Sequence, residues 1–346
     1  MHRLSLLLSL ALFLSPLWAD TAATASQKAH DEIWRRFIDK YGIMIDFADM
    51  NGEVSLPTPE ECREGKPNAL GWWAPIENGA MFNGLYMDAA VNRWQRTKSA
   101  EDAEKARKLM QGLLLLNSIS DVKGFVGRGV STDGKSHYPM GSNDQTLPWF
   151  LGLWRYWQSG IATEAEKAKI MQHLVTTAEE IVRLGWKMPA EQPFGTRGSF
   201  EGFHFEEVSR KLFTMRALHA VTGDKKWQTM YLDELAKRGG EKNLTKREIC
   251  EGGMVFWYSK THNWTSCAAV GALRGHLGNG ERCRIEVGLC QRPRRERETG
   301  LRGPPARAEV GQRRHEPLRD ELARDERRME AANDRERGSR PRHGAD

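Results

Sequence analysis

Residues 143–157 read NDQTLPWFLGLWRYW, a polar start followed by a run that is apolar and aromatic on nearly every side. A helix with apolar residues most of the way round is buried on more than one side, so this stretch predicts an inner helix with a polar N-terminus. The same design recurs along the chain. Four polar clusters each begin an apolar helix: Glu77-Asn78-Gly79, Asn143-Asp144-Gln145, His204-Phe205-Glu206-Glu207 and Thr261-His262-Asn263-Trp264.

An ordinary amphipathic helix follows each of the first three inner helices after a short break. The spacing of apolar residues therefore predicts three hairpins of an inner and an outer helix. They span 78–95 and 100–117, 144–158 and 163–184, and 204–221 and 224–238. No segment alternates at period two over a useful length. The predicted fold class is all-α, with repeated helical hairpins that form an open solenoid or a closed toroid. If the inner helices run parallel, their polar starts meet at one rim.

The N-terminus has the pattern of a secretory signal peptide. Arg3 supplies the positive start, residues 4–17 are largely apolar, and small residues follow Ala19. The apolar run is short for a transmembrane helix, so we expect cleavage between residues 19 and 25 rather than retention as a membrane anchor. Residues 1–19 are then removed, and the protein is expected to be secreted or periplasmic without membrane contact after cleavage.

The C-terminal segment 276–346 differs in composition from the rest of the chain. It holds 18 Arg, no Lys and 14 acidic residues, and it contains none of the 30 aromatic residues. Such a composition, without periodic apolar positions, is typical of disorder. We interpret this low-complexity, Arg-rich tail as a shifted reading frame in a GC-rich gene. The alternative is a natural Arg-rich binding tail. The folded domain is expected over 26–275, begins with a helix within 26–49, and is incomplete.

The formal net charge of +6 comes mainly from this tail, because residues 1–275 hold 34 basic and 32 acidic side chains. We therefore expect no nucleic-acid partner. The five cysteines show no CxxC and no Cys/His spacing, so neither a disulfide framework nor a metal site is expected. The glycines at 124–129 lie outside any strand–helix unit, so no dinucleotide or other cofactor is expected. The sequence leaves the oligomeric state open.

Two phrases carry a resemblance to a known superfamily. They are WWAPIENGAMFNGLYMD at 72–88 and YPMGSNDQTLPWFLGLW at 138–154. With the hairpin pattern over roughly 30–275, they resemble the six-hairpin, or (α/α)6-toroid, glycosidase-like superfamily. The resemblance implies inner helices around a funnel, with acidic residues at its mouth that act on glycans. About four hairpins are readable where six are typical of the superfamily, so the toroid is expected to be partial.

Glycoside hydrolysis commonly needs two carboxyl groups, one protonated and one ionised. The candidate catalytic residues are Asp144 and Glu77, at two helix starts, and Asp88. Eleven helical steps from Glu77 return Asp88 to nearly the same helix face. Each candidate also has a structural alternative. For Asp144 and Glu77 it is a helix cap, and for Asp88 it is an ion pair with Arg93 or Arg96.

The candidate substrate-binding residues lie near the helix starts or in the loops that precede them. Aromatic faces stack on sugar rings, with core packing as the alternative, and cationic or amide side chains stabilise a carboxylate. These candidates are Trp72, Trp73, Arg128, His137, Tyr138, Gln145, Trp149, His204, His262, Asn263 and Trp264.

The predicted function is that of a carbohydrate-active protein. The leading hypothesis is a glycoside hydrolase that acts on oligo- or polysaccharides, including uronate-containing oligosaccharides, by carboxylate acid and base catalysis. Two alternatives stay open, a polysaccharide lyase and a non-catalytic helical-repeat module that binds glycan or protein. The unusual C-terminus leaves open whether this chain is itself active.

Overall fold

The computed structural model describes residues 22–64, 75–250 and Ala269, all within one compact unit, Met1–Leu277. This part of the chain is mostly helical. Its helices are α1 (22–36), α2 (Pro59–Glu64), α3 (Gly79–Thr97), α4 (Ala100–Leu116), α5 (Asn143–Trp157), α6 (Glu164–Arg183), α7 (Phe205–Thr222), α8 (Lys225–Ala236) and the helical residues 246–250, named α9. The three hairpins are confirmed as α3–α4, α5–α6 and α7–α8, with ends within two residues of the prediction.

The inner helices α3 and α5 run parallel and in close contact. Hydrogen bonds join Asn78 to Gln145 near their starts and Asp88 to Arg155 further along, with the same sequence offset of 67 residues. Between these bonds the two backbones touch. A Cβ atom on Gly84 would lie 2.0 Å from the Pro148 carbonyl oxygen. Glycine is therefore needed there, and it allows the two polar helix starts to lie side by side.

Helix α5 lies at the centre of the described core. Every residue from Gln145 to Tyr156 is buried, as the aromatic run of the sequence predicts. The indole of Trp154 meets the Phe213 ring of α7 edge to face, with ring centroids 5.5 Å apart. Aromatic contacts of this kind add specific geometry to the burial of apolar area. They hold α7 against α5.

The outer helices α4, α6 and α8 are amphipathic and begin with side-chain caps. The hydroxyl of Ser99 accepts a hydrogen bond from the Asp102 backbone N–H at 3.0 Å. Thr163 and Glu166 form a reciprocal capping box at the start of α6. Asp224 accepts from the Lys226 N–H at 2.8 Å. Such caps satisfy backbone donors that a helix start leaves unpaired, which explains why the predicted starts are accurate.

The structure departs from the prediction in the connections. Helix α1 ends at residue 36, and Ile38 pairs with Met44 in an isolated β-bridge rather than continuing the helix. Short antiparallel hairpins, β1 (Lys187–Pro189) with β2 (Thr196–Ser199) and β3 (Arg238–Gly239) with β4 (Leu244–Thr245), interrupt the loops around α7 and α8. These strands are too short for period-two alternation to reveal them. None of the helices described is long and apolar enough to cross a membrane.

Candidate functional site

The polar starts of α3 and α5 are joined by a chain of side-chain amides. The Asn78 amide nitrogen donates to Asp46 Oδ1 at 2.7 Å, and its oxygen accepts from Gln145 Nε2 at 3.0 Å. Gln145 Oε1 then accepts from the backbone N–H of Met81 at 3.1 Å. The chain of bonds fixes which end of each amide faces which neighbour. We call the surrounding group the rim cluster: Asp46, Glu77, Asn78, Arg128, Ser142, Asp144, Gln145, Glu207 and Arg210.

Arg128 ties the same two helix starts together from the preceding glycine-containing loop. Its guanidinium donates to the Glu77 carbonyl at 2.9 Å and to the Ser142 hydroxyl at 3.1 Å, and the residue is buried. Burial lowers the pKa of Arg128, and the nearby charge of Asp144 opposes that change. Because a guanidinium keeps its proton in proteins, Arg128 places a buried positive charge at the junction.

Asp144, in the first turn of α5, is held ionised by its neighbours in the rim cluster. Burial opposes its ionisation, but the charge of Arg128, the Ser142 hydroxyl that donates to it, and the charge of Arg210 together lower its pKa below the ordinary value. The helix N-terminus favours the same charge. Pro148 has no N–H to donate to the Asp144 carbonyl, so this turn of α5 is also polar along its backbone.

The start of α7 reaches the same place. The strand β2 lies against the start of α5, where a Cβ on Gly198 would lie 2.7 Å from Asn143 Oδ1. Arg210 on α7 is 1% exposed; burial lowers its pKa, whereas the charges of Glu206, Asp144 and Glu207 oppose that lowering. The starts of three inner helices thus meet at one rim. The fourth polar start, Thr261–Trp264, lies outside the described residues.

Glu207 differs from Asp144 in its pKa. Burial raises the pKa of Glu207 above the ordinary value, against the opposing charges of His204 and Arg210. Its Oε2 accepts a hydrogen bond from the His204 backbone N–H at 3.0 Å. Arg210 therefore interacts with one carboxyl that is held ionised and one that retains its proton to higher pH.

Asp46 is a member of the rim cluster that sequence reasoning missed. Its Oδ2 accepts from the backbone N–H groups of Glu77 and Asn78, at 3.0 and 2.8 Å, so it caps α3 from outside the helix. Burial raises its pKa to about 6, although the Asn78 amide favours the charged form. The only indication in the sequence is one acid in the apolar run Ile43-Met44-Ile45-Asp46-Phe47.

Two predicted site residues lie away from the rim cluster. Asp88 is paired with Arg155 at 2.6 Å, rather than with Arg93 or Arg96, and it lies about 15 Å along α3 from the helix start. Trp149 is fully buried and donates its indole N–H to the Leu113 carbonyl at 2.8 Å. Trp149 therefore packs in the core and offers no face to a sugar ring.

His137 and Tyr138 are also engaged in contacts within the fold. His137 Nδ1 bonds to the Lys135 carbonyl at 2.8 Å and Nε2 to Glu191 at 3.1 Å. Burial lowers its pKa, but these two acceptors outweigh burial, so the net pKa of His137 lies above the ordinary value. The Tyr138 ring is buried in a small cluster with Ile76, and burial raises the pKa of its hydroxyl.

The remaining predicted residues divide between the rim and the undescribed parts of the chain. Glu77 and Gln145 belong to the rim cluster, and His204 is exposed at the start of α7 beside it. Five candidates lie outside the described residues: Trp72, Trp73, His262, Asn263 and Trp264.

A buried ionic cluster beside α7 also escaped sequence reasoning. Glu234 of α8 pairs with Lys211 of α7 at 3.0 Å, with Lys237 at 2.7 Å and with Lys246 of α9. The same two buried lysines, Lys211 and Lys246, face Glu201. A lysine inside the apolar run of α7 is the only indication in the sequence.

Metal ligation has no support in the part of the chain that the structure describes, where no group of three His, Cys, Asp or Glu is placed to hold an ion. Comparison with protein-family models, with curated proteins and with solved structures finds no match. The superfamily resemblance therefore depends on the two sequence phrases and on the hairpin pattern.

Proposed function

We propose that this chain is a carbohydrate-active enzyme, a glycoside hydrolase built on a partial (α/α)6 toroid, with its active site at the rim cluster. The parallel packing of α3 and α5 and the convergence of three polar helix starts support a funnel with a polar mouth. The toroid itself is an inference from this arrangement and from the superfamily resemblance. An oligosaccharide is the proposed partner, and a secreted or periplasmic location follows from the signal-peptide pattern.

The observation that carries the proposal is the pair of opposite pKa shifts around Arg210. The pKa of Asp144 is lowered and that of Glu207 is raised. Carboxyl groups whose surroundings drive their pKa values apart are suited to separate roles as base and acid. We assign Asp144 as the ionised base or nucleophile and Glu207 as the acid that protonates the leaving oxygen. Glu77 is the second choice for the acid, and Asp88 has no role in this proposal.

The polar neighbours of this pair have a supporting role. The side-chain amides of Asn78 and Gln145 bind each other, Asp46 and the Met81 N–H, and Gln145 is fully buried, so in this proposal they order the rim rather than contact the sugar. Arg128 and Arg210 add two buried positive charges, which offset part of the negative charge of the four carboxyl groups in the rim cluster. The superfamily resemblance makes uronate-containing oligosaccharides the substrates to test first.

A polysaccharide lyase is the second candidate, and the buried arginines favour it. A lyase removes a proton next to a uronate carboxylate, and fixed cations stabilise the negative charge that develops there. Ultraviolet absorbance separates the two reactions on uronate oligosaccharides. It rises as a lyase creates a conjugated double bond, and it falls as a hydrolase releases an unsaturated uronyl sugar. Release of reducing ends without an absorbance change indicates ordinary hydrolysis.

The decisive variants are Asp144→Asn and Glu207→Gln, each of which changes one carboxyl to an isosteric amide. Each is expected to lower kcat/KM about 100-fold or more, because a positioned acid or base contributes roughly that factor. Glu207→Gln should also remove the alkaline limb of the pH–rate profile. Glu179→Gln, on the exposed face of α6, is the matched control and should retain full activity. Full activity of Asp144→Asn, or glycan binding by the wild type without turnover, would contradict the proposal, and the latter result would favour a binding module.

A further inference from the structure

The hydrogen bonds that run from Asp46 through Asn78 and Gln145 to Met81 all point in one direction, with each donor facing Asp46's side of the series. Asp46 accepts from the Asn78 amide nitrogen, so the Asn78 oxygen is left to accept from Gln145. The Gln145 oxygen is in turn left to accept from the Met81 N–H. Amide side chains have one accepting and one donating end, so the Asp46 carboxylate at one end of this series and the Met81 N–H at the other require the same orientation of both amides.

We infer that Asp46 is a positioning residue of the proposed active site, one that fixes the orientation of the Asn78 and Gln145 amides beside Asp144. This inference rests on the proposed function for its catalytic part. Its structural part, the orientation of the amides, stands on the hydrogen bonds alone. Asp46 is not expected to touch the substrate, because both of its oxygens face donors at the start of α3.

A helix cap is the simpler role for Asp46, and one substitution separates the two roles. Asn at position 46 keeps an oxygen that can accept from the backbone N–H groups of Glu77 and Asn78, so the cap of α3 is retained. Its NH2 group, however, faces the NH2 group of Asn78. If Asn78 turns over to relieve this contact, two donors meet at Gln145. If Gln145 also turns over, the Met81 N–H loses its acceptor.

The reciprocal variant restores the polarity. In Asp46→Asn with Asn78→Asp, the new amide at 46 donates to the new carboxylate at 78. The second oxygen of that carboxylate accepts from Gln145, as the Asn78 oxygen does in the wild type. The charge moves by one residue, whereas every donor again faces an acceptor.

The test compares wild type, Asp46→Asn and the reciprocal double variant by two readouts on the full chain. The first is hydrogen exchange of isotope-labelled glutamine side chains by NMR, with Gln145 assigned through its loss in Gln145→Glu. Exchange of the Gln145 amide should be about fivefold faster in Asp46→Asn, because an ordinary hydrogen bond contributes ~1 kcal/mol, and it should return to the wild-type rate in the double variant. The second is kcat/KM on the glycan that the wild type cleaves. It should fall by up to about 100-fold and then recover, with the change mainly in kcat.

The two readouts distinguish failure of the inference from failure of the proposed function. If the wild type cleaves no glycan, the proposed function fails, and the exchange measurement still decides the role of Asp46. Unchanged exchange of Gln145 in Asp46→Asn overturns the inference, as does a double variant that is no better than the single one. Loss of thermal stability in Asp46→Asn without faster exchange at Gln145 would show that Asp46 is only a cap.

Discussion

Replacing Glu234 by Gln should destabilise the fold by about 3 kcal/mol at pH 7. Glu234 is 4% exposed and lies between Lys211 and Lys246, which are 2% and 0% exposed. Gln keeps the shape and one acceptor oxygen but removes the charge. Both lysines would then remain buried with Glu201 as the shared counter-charge. Removing one partner from a buried ion pair typically costs 3–5 kcal/mol, because the other charge stays desolvated.

The magnitude follows from the pKa of Glu234. Burial opposes its ionisation, but Lys237, Lys246 and Lys211 outweigh burial and lower the pKa from 4.5 to about 2. A carboxyl with a lowered pKa stabilises the fold above its unfolded pKa, and this contribution is lost as the pH falls through the folded value. The contribution is about 3 kcal/mol at pH 7 and about 1.4 kcal/mol at pH 3. The difference in stability between wild type and Glu234→Gln should shrink accordingly.

Urea unfolding followed by tryptophan fluorescence, at pH 7 and at pH 3, measures this difference. Glu179→Gln is the matched control, because it removes the same group from an exposed pair with Lys226 at 3.0 Å. An exposed pair contributes less than about 1 kcal/mol. Equal stability of Glu234→Gln and wild type at pH 7 would refute the reasoning, and so would a loss that is the same at both pH values.

Three further changes test other contacts. His137→Gln should lower the free energy of unfolding by about 1 kcal/mol at pH 6 and by less at pH 9. The pKa of His137 is raised, so its charged form stabilises the fold at low pH, and this stabilisation is lost as the pH rises. A loss of stability in urea unfolding that does not depend on pH would contradict this. Gly84→Ala should cost about 1–3 kcal/mol by forcing α3 from α5, and an unchanged Tm would show that the backbones separate easily. Thr163→Ala should lower the free energy of unfolding by about 1 kcal/mol, because the cap of α6 is lost. Calorimetry can compare it with Thr222→Ala, at the C-terminal end of α7, where no N-cap is removed.

The helices were predictable because their information is local. Apolar spacing marks each helix, and Ser99 and Thr163 mark two starts by side-chain bonds within one turn. The same local reasoning treats Asp88 incompletely. Eleven residues return it to nearly the face of Glu77, but they also carry it about 16 Å along the helix axis. Angle alone placed Asp88 with the rim, whereas distance along the axis brings it to Arg155.

The parts of the site that escaped prediction depend on contacts between distant segments. Asp46 reaches Asn78 across 32 residues, and Lys246 meets Glu234 only because β3 and β4 turn the chain back. No spacing in the sequence encodes either contact. Trp149 shows the opposite difficulty. An aromatic side chain near a helix start suits a sugar platform or a core equally well, and only the bond to Leu113 decides for the core.

The acids at the rim can be explained by capping alone only if their pKa values agree with that role. A helix N-terminus favours the charged form of an acid, so a cap should lower the pKa. Glu166, which caps the outer helix α6, has a lowered pKa, because burial is outweighed by its hydrogen bonds from the Thr163 backbone and from Arg107. Asp46 and Glu207 occupy comparable capping positions, yet their pKa values are raised because burial outweighs the favourable helix ends. Capping explains where these two carboxyls lie but not why they are buried beside Arg128 and Arg210. In the proposed active site, a carboxyl that holds a proton near the ionised Asp144 accounts for the burial of Glu207, and the ordering of the Asn78 and Gln145 amides accounts for that of Asp46, so the rim rather than the outer helix starts is the place to test for catalysis.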